Sequence, residues 1–209
     1  MKTTDQYLDE IKEIKKMMEQ STRFLSLSGL SGVLIGIYAL IGAFIAYKMI
    51  YLPGPLEYRK VYANEITNEL FLLASLVLLL SLSTVLWLTF SKIRNTNQRF
   101  WSASSRRLLI NLAIPLITGG ILILIFSYRG VHAVIAPFSL IFYGLALVNA
   151  AKYTRQEIFY MGLVEIGLGL LSAVFPGMGI VFWALGFGLV HIIYGTVMHF
   201  RYDRKIEQA

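Results

Sequence analysis

Residues 158–200 read IFYMGLVEIGLGLLSAVFPGMGIVFWALGFGLVHIIYGTVMHF, a run with a single acid, Glu165, and no Lys or Arg. A bilayer core of about 30 Å is crossed by about 20 helical residues, so this run is long enough for two crossings. Pro176-Gly177-Met178-Gly179 lies near its middle and reads as a tight turn between two helices. The rest of the chain repeats the pattern. Stretches 24–47, 70–91, 108–128 and 130–151 each lack Asp, Glu, Lys and Arg and are each long enough to span once. With 158–175 and 180–200, the expected architecture is an all-α, polytopic transmembrane bundle of six spans. A β-barrel would show strands of about ten residues with alternating polarity, and nothing here alternates that way.

Composition agrees. The 209 residues are 56% hydrophobic and only 15% charged, with mean hydropathy +0.64; soluble domains carry about 25% charged residues. There are no cysteines, which excludes a disulfide framework, a thiol nucleophile and any cysteine-held metal or cluster. Some twenty mixed-charge residues precede the first apolar run, which is far longer than the apolar core of a signal peptide (about 7–15 residues), so it is read as a span. The chain divides into a 1–23 segment, a 24–200 transmembrane domain and a 201–209 tail.

Lys and Arg set the expected orientation. The 1–23 segment, the 92–107 loop, the loop holding Lys152 and Arg155, and the tail together carry 15 of the 19 basic residues; only Lys48, Arg59, Lys60 and Arg129 fall on the opposite side. By the positive-inside rule both termini of this multi-pass protein are expected in the cytoplasm. The net charge of +7 follows from those loops, and does not call for a nucleic-acid partner.

Little chain is left outside the bilayer. Tyr7, Ile11, Ile14 and Met18 recur at i, i+4, i+7, i+11, which predicts a short amphipathic helix over 7–18 lying on the inner leaflet or pairing with a second copy. The 92–107 loop has five bases, no acids and Phe100-Trp101, which suits anionic lipid headgroups. The 49–69 connection is too short for a folded domain.

A charged group in hydrocarbon is expensive, so retained intramembrane polar residues are the functional clues. Glu165 lies ten residues after Arg155, and His191 ten before Arg201, which puts both at nearly one depth on antiparallel helices. Gly162, Glu165, Gly169 and Ser172 share one face; Ala184, Gly188, His191 and Gly195 share another. Small-residue faces let membrane helices approach closely, so these two hairpin-linked helices are expected to meet and bring Glu165 to His191. Tyr143 and Ser31, at similar offsets from their flanks, are expected to line the same centre. The pair reads either as a buried clamp or as a protonatable site on a solute or proton path. Ser28, Gly32, Gly36, Ala39 and Ala43 form a further packing ladder in the first span. Pro115 before Thr118-Gly119-Gly120 marks a kink in the third, Asn111 and Asn149 lie a turn inside their flanks, and Thr154-Arg155-Gln156-Glu157 has capping-box spacing.

Several chemistries are set aside. The three histidines fall at different depths, which is wrong for a bis-histidine haem; HExxH, GxSxG, P-loop and paired intramembrane aspartates are absent from the sequence. No catalytic constellation, metal site or cofactor is therefore expected. An inverted three-span repeat has only GVLIGIY (32–38) against GLVHIIY (188–194) in its favour.

At 143–158, YGLALVNAAKYTRQEI, at 186–195, GFGLVHIIYG, and at 23–29, RFLSLSG, the chain resembles a family of uncharacterised small bacterial inner-membrane proteins. That resemblance implies bacterial origin and six spans, and no activity. The leading functional expectation is small-solute or proton-linked transport, in a homo-oligomer, centred on Glu165 and His191. The alternative is a non-transporting membrane adaptor or sensor subunit that holds a partner with its N-terminal helix and basic loops.

Overall fold

The computed structural model describes residues 28–51, 63–96 and 101–203, and every long element among them is helical. Helix α1 is Gly29–Tyr51, α2 Ala63–Thr96, α3 Ala103–Tyr128, α4 Ile135–Ala150 and α5 Gln156–Val174. Helix α6 occupies Gly179–Asp203 and changes winding along its length. It is α-helical to Trp183, π-helical over Ala184–Val190, α-helical again over His191–Met198 and π-helical over His199–Asp203. Six helices are long and apolar enough to cross a membrane, and the protein is an integral membrane helical bundle. The expected helix at 7–18 and residues 97–100 and 204–209 lie outside the described residues.

Successive helices alternate in direction. One end gathers the start of α1, the end of α2, the start of α5 and the end of α6: Asp203 reaches both Gly29 and Lys92, and Arg201 reaches Glu157. At the other end Tyr51 donates its hydroxyl proton to the Gly177 carbonyl. The hairpin there turns through Gly177 at φ +94, a left-handed conformation that only glycine adopts freely. The Pro-Gly-Met-Gly segment is the turn its composition predicts.

Packing is carried by small residues. Helix α4 lies along α5 and α3, α1 lies along α6 and α2, and α6 also meets α4 and α5. The two small-residue stripes do not chiefly face each other, as hairpin proximity predicts. A Cβ on Gly162 would stand 2.7 Å from the Gly144 carbonyl oxygen, and one on Gly169 would stand 2.6 Å from Ile141 Cγ1 and 3.0 Å from the Pro137 carbonyl, so the α5 stripe is closed by α4. On α6, Gly195 abuts Gly29, Gly32 and Val33, while Gly188 abuts Gly36 and Leu40. The ladder of α1 is thus the counterpart of the α6 glycines. Each stripe does what small residues do in membranes: that of α5 closes on the preceding helix, α4, and that of α6 on α1 at the other end of the sequence.

Other local expectations shift. Thr154 and Glu157 do not form a capping box: Arg155 is the N-cap of α5 and makes no side-chain cap bond. Glu157 instead reaches across to α6, accepting from Arg201 Nη1 at 2.9 Å and the Tyr202 hydroxyl at 2.7 Å. The capping box belongs to α3, where Ser105 N–H donates to Ser102 Oγ at 3.1 Å and Ser102 N–H to Ser105 Oγ at 2.8 Å. Helix α3 continues through Pro115. Thr118 and Asn111 turn their side chains back onto the carbonyls of Ile114 and Arg107, both at 2.8 Å. Large apolar side chains such as Leu72, Leu78, Trp87, Ile114 and Leu124 face outward, where a bilayer would solvate them, while Leu140, Glu165 and Thr154 are the largest fully buried side chains.

Candidate functional site

Three helices meet around Glu165. Helix α5 supplies the carboxylate, which is 0% exposed. Helix α6 supplies His191, 4% exposed, with Nδ1 3.6 Å from Glu165 Oε1. Helix α4 supplies Tyr143, whose hydroxyl is 2.7 Å from His191 Nε2. Three of the four residues expected at the centre are therefore brought together. Ser31 is not among them: α1 begins only at Gly29, so Ser31 sits in its first turn and its hydroxyl donates to the Ser28 carbonyl at 2.6 Å.

The winding of α6 completes the site. Over Ala184–Val190 the π turns, which close i to i+5, leave the Gly186 carbonyl facing His191 five residues on, and His191 Nδ1 lies 3.1 Å from that oxygen. A carbonyl oxygen can only accept, so Nδ1 carries the proton; in a neutral imidazole Nε2 then accepts from the Tyr143 hydroxyl. Gly186 also touches the acid. A Cβ there would run into Glu165 Oε2 and into Leu140 Cδ2, so a glycine is required for the carboxylate to sit where it does. Phe187 packs on Tyr143 at 5.1 Å and on Trp183 at 5.0 Å between ring centroids, which walls the polar group with aromatic surface.

The hydrogen bonds are unequal. Both imidazole nitrogens are occupied, whereas neither Glu165 oxygen has a hydrogen-bond partner among the described residues. Ser172 Oγ, two turns along the same face of α5, is also buried without one. A bare carboxylate so placed costs several kcal/mol, so Glu165 needs a proton or a cationic donor. What the arrangement can do chemically is hold and release a proton between helices. Among the described residues, no group of three or more His, Asp or Glu side chains could hold a metal ion.

Gly186 and the π segment are parts of this site that the sequence reading missed. The only signal was Gly186 itself, two residues before the packing glycine Gly188. The other two histidines stand apart: His132 Nδ1 is 3.3 Å from Ser127 Oγ beyond α3, and His199 Nδ1 is 3.4 Å from Asp203. An open cleft of about 860 Å3 between the Gly177-end halves of α2 and α3 includes Asn68, Phe71, Leu124, Arg129 and His132, away from Glu165.

Polar contacts fasten the opposite end. Asp203 accepts from Lys92 Nζ at 2.6 Å and from the Gly29 N–H at 2.8 Å, which ties α6 to α2 and caps α1. The Arg155 guanidinium lies 3.5 Å from the centroid of the Tyr202 ring, beside the Glu157 contacts. No family model, curated protein or solved structure matches the chain, so the resemblance noted above assigns no family.

Proposed function

We propose that the protein is a small transport or permeation protein of a bacterial inner membrane, both termini cytoplasmic, in which Glu165, His191 and Tyr143 form a proton-exchange centre. It works without a resident cofactor and is not an enzyme. The observation that carries this reading is the Glu165 carboxyl group: fully buried in mid-span, both oxygens without a hydrogen-bond partner, beside an imidazole whose nitrogens are already used. A purely structural ion pair is retained when its lone pairs are satisfied, because an unsatisfied buried acceptor weakens the fold. A group that must gain and lose a proton is better served by a site that fully satisfies neither state.

The test is proton flux into vesicles of anionic phospholipid containing the purified full-length chain, with a potassium diffusion potential as driving force and an entrapped pH-sensitive dye. Wild type is expected to acidify the lumen faster than empty vesicles, and Glu165→Gln and His191→Phe to lose that excess. Flux unchanged in both variants would remove the site from the transport reading.

The second reading, a non-transporting adaptor or sensor subunit, is favoured by the close packing of the pair and by Gly186 closing over the acid. Deleting residues 1–19 separates the two. An adaptor loses its partner, whereas a transporter keeps its flux.

A further inference from the structure

The Nδ1 proton of His191 has two acceptors within reach and can serve only one. The Gly186 carbonyl is 3.1 Å away on α6 itself, and Glu165 Oε1 is 3.6 Å away on α5. We propose that His191 is a two-position relay: its Nδ1–H bonds Gly186 while Glu165 holds a proton, and turns to the Glu165 carboxylate when that proton leaves. Gly186 is then a positioning residue and the π segment Ala184–Val190 is the element that the switch moves.

The competition has a definite winner in each state. A neutral carboxyl offers Nδ1–H no better acceptor than a carbonyl, whereas a carboxylate makes a charge-assisted bond of about 2.7–2.9 Å and roughly twice the strength. Closing from 3.6 Å to that range takes under about 1 Å, and the Tyr143 hydroxyl on Nε2 is the pivot about which the ring can turn. One proton moves, from Glu165 to water at the membrane surface by the transport route. No covalent bond changes at His191, whose imidazole stays neutral and merely exchanges acceptors.

The cost appears in the backbone. Without Nδ1–H, the Gly186 carbonyl must rely on the helix ladder, and the π turns have the α-helical register as their alternative. Two discrete windings of one helix are the kind of bistable element through which a local proton event becomes a larger displacement. Helix α6 is placed to transmit it, since Gly188 within the π segment packs on Gly36 and Leu40 of α1, and Gly195 beyond it packs on Gly29 and Val33.

Among the described residues, no titratable side chain besides Tyr143 is hydrogen-bonded to or ion-paired with the pair. Glu157, just over two turns back on α5, is engaged by Arg201 and Tyr202; Tyr38 on α1 turns toward Thr84 of α2 at 3.5 Å. The relay rests on the proton-exchange reading of Glu165, but its test does not depend on flux. The full-length chain in nanodiscs of anionic phospholipid, with 15N-histidine and a 13C-carbonyl label at glycine, gives spectra of only three histidines, assigned through His132→Gln and His199→Gln.

In wild type, His191 is expected to show protonated Nδ1 and unprotonated Nε2 throughout. The Gly186 carbonyl resonance should shift in a single-proton transition within the pH range over which the protein stays folded. In Glu165→Gln that resonance should stay near its low-pH position. A protonated Nε2 with bare Nδ1, a Gly186 carbonyl that never moves in wild type, or one that moves equally in Glu165→Gln each overturns the relay. The first two need only wild type, so a variant that fails to assemble does not protect the proposal. Flux that depends on Glu165 beside a static carbonyl ends the relay and leaves the transport reading standing; a moving carbonyl without flux does the reverse.

Discussion

Glu165 separates stability from activity. Its side chain is fully enclosed and takes no hydrogen bond, so replacing it with an apolar residue of similar bulk removes a desolvated acid and leaves His191 with both of its present partners. Removing a buried polar group that has no hydrogen-bond partner removes its desolvation cost, about 1–3 kcal/mol, without breaking a bond. Glu165→Leu is therefore expected to unfold in micelles at the wild-type temperature or above it, while reconstituted flux falls to that of empty vesicles. A clamp behaves oppositely: unfolding at a markedly lower temperature would show that the Glu165 to His191 contact holds α5 on α6. This acid and its histidine partner were legible in the sequence because charge inside an apolar run is rare and helix rise converts offsets into depth. Ser31 was misplaced by the same arithmetic. Its depth was counted from Arg23, but the helix begins five residues later than the apolar run that starts at Phe24.

Among the elements, periodicity revealed faces and left their partners open. Gly162 and Gly169 on α5, and Gly188 and Gly195 on α6, are packing glycines, yet neither row is covered by the other: α4 covers the first and α1 the second. A one-dimensional pattern states which side of a helix is small, and the shortest loop is a poor guide to what lies against it. The π segment was invisible for a related reason, since its extra residue per turn is set by tertiary contacts around Gly186 and not by any residue's preference. The glycines themselves offer a controlled comparison. A Cβ on Gly36 would stand 2.6 Å from the Gly188 carbonyl and one on Gly195 2.6 Å from the Val33 nitrogen, both backbone atoms; Gly120 and Gly167 would meet nothing within 4 Å. Gly36→Ala and Gly195→Ala are expected to destabilise by about 1–3 kcal/mol through forced separation of α1 and α6. Gly120→Ala and Gly167→Ala should be neutral or gain up to about 1 kcal/mol from helix propensity. Denaturant unfolding of the four variants in one detergent checks the order, and equal losses at all four would contradict the close approach.

At the scale of the whole molecule, the ends are fastened differently. Asp203 joins three helices at one end, neutralising Lys92 and accepting from the Gly29 N–H in the first turn of α1. Asp203→Ala is expected to cost about 1–2 kcal/mol in the same unfolding assay, and Asp203→Asn less, since the amide oxygen can still accept from the Gly29 N–H. Equal losses in both variants would place the contribution in the Lys92 pair and not in the cap. That fastened end also gathers Lys92, Lys152, Arg155 and Arg201, the bases on which the proposed cytoplasmic orientation rests.

The absence of native cysteine makes that orientation directly measurable, because any engineered thiol is the only one present. Tyr128 at the far end of α3 is 94% exposed, and Lys152 in the connection from α4 to α5 is also exposed. They lie at opposite ends of the bundle, since α4 crosses it between them. If the bases lie in the cytoplasm, a membrane-impermeant maleimide added to intact spheroplasts should label Tyr128→Cys and reach Lys152→Cys only after permeabilisation. The reverse pattern would invert the molecule and turn the Glu165 centre toward the other compartment. Labelling of both in intact cells would mean that the two positions are not separated by a span, which would overturn the assignment of α4 as membrane-crossing.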